Sequence, residues 1–200
     1  MPIIIGMSRC LMGDPVRYDG RSKSSGTCHL HLADCFEFYS VCPEVESGLS
    51  IPRPPIELVK CPNGLKALGR DDSSLDVTSQ LQNFCDRQVA GLSFLSGFVL
   101  VPGSPSCGLN TVLIKSPRGR PLSKNGSGLF VTNLREQFPD LPVIEEPDLS
   151  DHYALSLFQL RVIFYYLIRQ GTVFSKELLA HQMYRDLVHN VEQNYSIKNR

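Results

Sequence analysis

The 200-residue chain has no net charge, because 20 lysines and arginines balance 20 aspartates and glutamates. Whole-chain charge therefore gives no support for a general polyanion binder and leaves only local patches to consider. No apolar run is long enough for a bilayer. The longest helical apolar stretch, residues 155–168, is interrupted by Gln159 and Arg161 and falls short of the roughly 20 residues that a span requires. The N-terminus has three consecutive isoleucines, with no basic segment before them and no small-residue cleavage site after, so no signal peptide is expected. A cytoplasmic protein without a membrane partner is the expectation. The sequence also lacks internal repeats and any Cys-x-x-Cys pair. Its seven cysteines are an odd number for a reducing compartment, which argues for thiols or ligands rather than a disulfide framework.

What is present reads as an α/β domain. Four short segments rich in apolar, β-branched or aromatic residues predict strands over 3–7, 36–41, 97–101 and 141–144. Helices are expected weakly over 28–35, and more strongly over 77–92 after Asp76 and over 128–138, where Pro139 stops the run. Strands alternating with helices predict a mostly parallel sheet with helices on both faces. The proline-rich stretch 43–76 reads as a long loop holding at most a short strand at 56–60; loops of this length are usually functional. Residues 148–200 read as a helical C-terminal tail, with helices over 153–169 and 175–189.

Three cysteines share one kind of position. Cys10 follows the first predicted strand, Cys42 ends the second and Cys107 follows the third, each just past the carboxyl end. In an open parallel sheet those ends line one edge, and ligands bind in the crevice there. Glycines and prolines flank all three, in Cys10-Leu-Met-Gly, Val-Cys42-Pro and Gly-Ser-Pro-Ser-Cys107-Gly. Such residues allow tight turns whose amides can donate to thiolate or cluster sulfur. Three thiolates suit either zinc with an open fourth position or a cubane iron-sulfur cluster with one iron free of cysteine. Cys28 beside His29 and His31 has poor geometry for a single ion. Cys61 reads as a loop thiol and Cys85 as a buried mid-helix residue; with Cys28 and Cys35 they are expected outside the cluster site.

Five motifs occur in order within residues 3–146: Ser8-Arg-Cys-Leu-Met-Gly-Asp-Pro-Val-Arg-Tyr-Asp-Gly20, Val41-Cys-Pro-Glu-Val-Glu-Ser-Gly-Leu49, Pro52-Arg-Pro-Pro55, Asp76-Val-Thr78 and Ser104-Pro-Ser-Cys-Gly108. With them the chain resembles the iron-sulfur-dependent thiouracil desulfidase family. The resemblance implies a 4Fe-4S cluster held by Cys10, Cys42 and Cys107, with one open iron that captures the sulfur of a thiocarbonyl substrate, and non-redox hydrolytic release of sulfide from a thiolated uracil. It places the acid-base carboxylate on Glu44 and the assisting serine on Ser104, with Ser106 a close competitor. Ser8, Arg17, Asp19, Lys23, Glu46, Arg53 and Asp76 fall on motif positions and are expected at the substrate. Taken alone, Glu44 and Glu46 are also explained as loop carboxylates, Arg53 as a surface ion pair and Asp76 as a helix cap.

The resemblance ends near residue 147, where longer relatives continue into a second domain; residues 148–200 are expected to be a truncated remnant of it. Balanced charge and the lack of aromatic-basic interleaving favour a small thiolated base or nucleotide over transfer RNA as substrate. Competing readings are desulfuration of thiolated transfer RNA, a non-catalytic iron-sulfur sensor or sulfur carrier, and a zinc hydrolase.

Overall fold

A computed structural model of the protein describes residues 2–171 together with Arg185 and His189. The strands β1 (Ile4–Ser8), β2 (Glu37–Val41), β5 (Phe98–Leu100) and β8 (Val143–Glu145) form a sheet in the order β2-β1-β5-β8, and every pairing is parallel. Alternation along each strand sends apolar side chains to both faces. Ile5, Met7, Val99 and Ile144 face one core, shared with Cys28 and Leu32 of helix α1 (Gly26–Leu32) and Leu155, Phe158, Val162 and Ile163 of α5 (His152–Arg169). Val41, Phe98 and Leu100 face the other, with Phe84 and Cys85 of α3 (Thr78–Gln88) and Phe130, Val131 and Leu134 of α4 (Leu129–Gln137). The expected parallel sheet covered on both faces is therefore found. β1 and β5 lie so close that a Cβ on Gly6 would collide with the Phe98 ring, which explains a glycine in mid-strand.

A second sheet departs from the sequence reading. β3 (Ile56–Cys61), β4 (Gly64–Gly69), β6 (Val112–Lys115) and β7 (Pro121–Gly126) pair in the order β4-β3-β6-β7, antiparallel within each hairpin and parallel between β3 and β6. The stretch 43–76 is thus not one long loop. It opens with the one-turn helix α2 (Pro43–Glu46) and then forms a hairpin whose two-residue turn is Pro62-Asn63. Leu58, Ala67, Val112, Val77, Leu81 and Leu129 make a third core that docks this sheet on α3 and α4.

The tail helix expected over 153–169 matches α5. Its N-cap, Asp151, accepts from the Tyr153 and Ala154 N–H groups at 2.8 and 3.0 Å. The helix expected over 175–189 lies outside the described residues apart from Arg185 and His189. No described helix is long and apolar enough to cross a membrane.

Candidate functional site

β1, β2 and β5 end at the same edge, and each feeds a turn that carries a cysteine. β1 runs into a 3-10 turn, Arg9–Met12, which holds Cys10 and closes at Gly13 with φ 99°. Only glycine takes that conformation without strain. Cys42 is the residue before α2, and its N–H donates to the Glu46 carboxylate at 2.8 Å. Glu46 thus reaches back across one helical turn to cap it, as a capping carboxylate does. After β5 the chain turns at Gly103–Cys107. Ser104 Oγ accepts from the N–H groups of Ser106 and Cys107 at 3.3 and 3.1 Å, and the Gly108 N–H donates to the Ser104 carbonyl at 2.8 Å. Glu145, at the end of β8, braces this turn: one of its oxygens accepts from the Leu109 N–H at 2.7 Å and the Thr111 hydroxyl at 2.6 Å, and Thr111 Oγ1 accepts from the Gly103 N–H at 2.9 Å.

The three turns surround a cavity of about 360 Å³ at the carboxyl edge of the parallel sheet. Cys10, Cys42 and Cys107 all line it, while Cys28, Cys35, Cys61 and Cys85 do not. Burial raises all three thiol pKa values: Cys10 is pushed up to about 11, Cys42 upward, and Cys107 well above the ordinary value. The cysteines also act on one another. After burial, Cys42 is the largest influence raising both Cys10 and Cys107, which places the three within electrostatic reach. Arg17 and Lys23 pull Cys10 down, Arg53 pulls Cys42 down, and a hydrogen bond with the Ser8 side chain does so for Cys107. Positive charge and donors thus surround thiols that favour the neutral form when nothing is bound to them. Among the described residues no three His, Cys, Asp or Glu side chains gather tightly enough for one metal ion.

Glu44 enters the cavity from α2 and is pinned at both oxygens. Ser106 donates its hydroxyl to Oε1 at 3.0 Å, and Arg53 binds Oε2 through Nε and Nη2 at 2.8 and 2.7 Å. The Arg53 side chain is 6% exposed. Its remaining donors reach the carbonyls of Val16 and Ser50, at 3.1 and 3.3 Å.

Ser8, Arg17, Lys23, Glu44, Arg53 and Ser104 line the cavity with the cysteines. Ser106 stands behind Glu44 at 1% exposure and holds it. Asp19, Glu46 and Asp76 do not line the cavity. Asp19 lies 3.9 Å from Arg17 and accepts from the Arg21 N–H. Asp76 accepts from Lys66 at 2.8 Å and the Thr78 N–H at 3.0 Å, and these contacts hold its pKa down at about 2, so here it steadies the start of α3. Besides apolar and proline walls and Gly103, the lining residues that escaped the sequence reading are Arg9, Tyr18 and Arg70. Arg9 and Tyr18 lie inside the first motif. Arg70 has no local signal, because it reaches the site only when β4 folds back and its N–H meets the Pro55 carbonyl at 2.8 Å.

Thiols from three strand ends beside an ion-paired carboxylate, in a crevice of a parallel sheet, define an α/β enzyme with a cysteine-lined centre. The chain belongs to the 2-thiouracil desulfurase family, whose family model matches residues 5–146, and is a carbon-sulfur bond-cleaving desulfidase. Among solved structures it is similar to a 4Fe-4S-dependent thiouracil desulfidase, TudS, at 31% identity and a TM-score of 0.60, covering 78% of this chain and 99% of that one. No curated protein matches the chain.

Proposed function

We propose that the chain hydrolyses the carbon-sulfur bond of a thiolated uracil without net redox change, at a 4Fe-4S cluster held by Cys10, Cys42 and Cys107. The observation that carries this reading is that three thiols from separate strand ends and one pinned carboxylate line the same cavity. The donor set fits the group. Zinc draws its sulfurs to about 2.3 Å from one point, whereas a cluster suits thiols that ring a cavity without closing on a single position. The similar TudS structure is of a 4Fe-4S-dependent enzyme. Such a cluster, with one iron free of protein ligands, supplies a soft Lewis acid suited to a thiocarbonyl sulfur.

The chain's own residues supply the rest. Glu44 Oε2 takes both of its hydrogen bonds from Arg53, whereas Oε1 accepts from the Ser106 hydroxyl and keeps a second lone pair. Glu44 is therefore positioned to take a proton from the attacking water. Ser104 lines the cavity with its oxygen already accepting two N–H groups, which aims its hydroxyl proton away from the backbone and toward substrate or water. Val16, Pro43, Ile56 and Val101 give the cavity apolar walls that limit water.

Arg9, Arg17, Lys23 and Arg70 line the cavity, each within 4.0 Å of a carboxylate outside the lining, and the lining carboxylate Glu44 is paired with Arg53. Partly exposed pairs of this kind are weak, so these cations can turn to a phosphate through charge-assisted contacts, which favours a nucleotide monophosphate over the bare base. A cavity of this size suits a small substrate over transfer RNA. The test is sulfide release by anaerobically purified protein from 4-thiouracil, 4-thio-UMP and thiolated transfer RNA, with Glu44→Gln in parallel. The nucleotide is expected to react best, and Glu44→Gln to lose at least about a hundredfold in kcat, the scale of general acid-base assistance. Equal rates on base and nucleotide contradict the phosphate contacts, a tenfold preference for transfer RNA contradicts the small-molecule reading, and full activity of Glu44→Gln removes its role.

A further inference from the structure

Val16, Arg17 and Tyr18 of the segment 14–21 line the cavity, and the segment's backbone is fastened where the site is built. The Arg53 N–H donates to the Tyr18 carbonyl at 2.9 Å, and the Arg53 guanidinium, while holding Glu44, also donates to the Val16 carbonyl at 3.1 Å. The segment closes on itself as well: the Arg17 N–H donates to the Arg21 carbonyl at 3.1 Å, and the Gly20 N–H to the Arg17 carbonyl at 2.9 Å, with Gly20 at φ 74°. The loop is therefore tied to the catalytic carboxylate through a single arginine. Tyr18 is the aromatic side chain among the lining residues, and it remains 37% exposed at the mouth. The other uncharged lining residues are aliphatic residues, prolines, two serines, a glycine and the three cysteines.

We propose that Tyr18 is the aromatic wall of the substrate cavity, packing its ring against the face of the pyrimidine and so selecting ring thiocarbonyls. The inference rests on the thiouracil reading above and assigns a specificity residue to it. A pyrimidine presents a flat π-face whichever carbon bears the sulfur, and a phenol ring held by a fixed backbone stacks on it at small entropic cost. The same contact is made equally with substrate and with desulfurised product, so it acts on binding rather than on the chemical step. Base-aromatic stacking removed by alanine substitution weakens binding by roughly 5-fold to 150-fold.

The experiment compares Tyr18→Ala and Tyr18→Phe with the wild-type holoprotein, at matched visible absorbance, in 4-thiouracil kinetics and in calorimetric titration with uracil. Tyr18→Ala is expected to raise KM and the uracil Kd together by at least about fivefold, with the loss in KM rather than kcat. Tyr18→Phe, which keeps the ring, should recover most of that loss. An unchanged KM and uracil Kd in Tyr18→Ala overturns the proposal, as does a loss confined to kcat. A Tyr18→Phe defect equal to that of Tyr18→Ala overturns it too, since the hydroxyl would then be the working group. Wild-type protein that binds uracil through Tyr18 but releases no sulfide would sink the desulfidase reading and leave the wall standing.

Discussion

At the scale of single residues, the site depends on Arg53. Its guanidinium meets the Glu44 carboxylate at 2.7 and 2.8 Å in a setting where the two side chains are 6% and 11% exposed. Breaking a buried pair by removing one partner leaves an uncompensated charge and costs about 3 to 5 kcal/mol. Arg53→Ala is therefore expected to lower stability by an amount of that order, measured by chemical denaturation, and to lower activity with it through a displaced Glu44. Arg53→Lys keeps the charge but not the planar fork, and should fall between the two. A fully stable Arg53→Ala protein would contradict the pairing. The sequence suggested Arg53 as a substrate contact or a surface ion pair. The structure makes it a pair, but a buried one that spans residues 16, 18, 44 and 50, a role that nothing in Pro-Arg-Pro-Pro discloses.

At the scale of elements, the turn that carries Cys107 is packed directly against the start of α4. The Phe130 N–H donates to the Ser106 carbonyl at 3.1 Å, and a Cβ added to Gly128 would strike the backbone of Ser106 and Cys107. Backbone yields less readily than a flexible side chain, and overpacking of this kind costs typically about 1 to 3 kcal/mol. Gly128→Ala is thus expected to destabilise the fold by that amount and to lower iron content per chain, because the turn must shift; unchanged iron content and stability would show that the turn has slack.

The parallel strands were legible because each is a short apolar run placed ahead of a turn or helix. Of the second sheet β3 was legible, as the short strand at 56–60; β4, β6 and β7 were not, because they lack clean alternation. β7 reads Pro-Leu-Ser-Lys-Asn-Gly and is exposed along nearly its whole length, and β4 begins and ends in glycine. Pro62-Asn63-Gly64 between two partly apolar segments was the available sign of the first hairpin. With that hairpin hidden, Arg70 could not be placed. The cysteines could, since strand-end position alone put them on one edge.

At the scale of the whole molecule, the balance of charge is kept locally. Arg9, Arg17, Lys23, Arg53 and Arg70 line one cavity, and each lies within 4.0 Å of a carboxylate, of which Glu44 alone shares the lining. Two sheets, one parallel and one built of hairpins, meet around that cavity: the first supplies the cysteines, and the second supplies Ile56 and places Arg70. The central claim is that three of the seven cysteines hold a cluster. Its most direct test is iron and acid-labile sulfide content per chain after anaerobic reconstitution, for wild type and for each Cys→Ser variant. Wild type should hold about four of each, Cys28→Ser, Cys35→Ser, Cys61→Ser and Cys85→Ser should match it, and Cys10→Ser, Cys42→Ser and Cys107→Ser should each lose most of it. Full iron content in all of those last three, or its loss in one of the other four, would contradict the account.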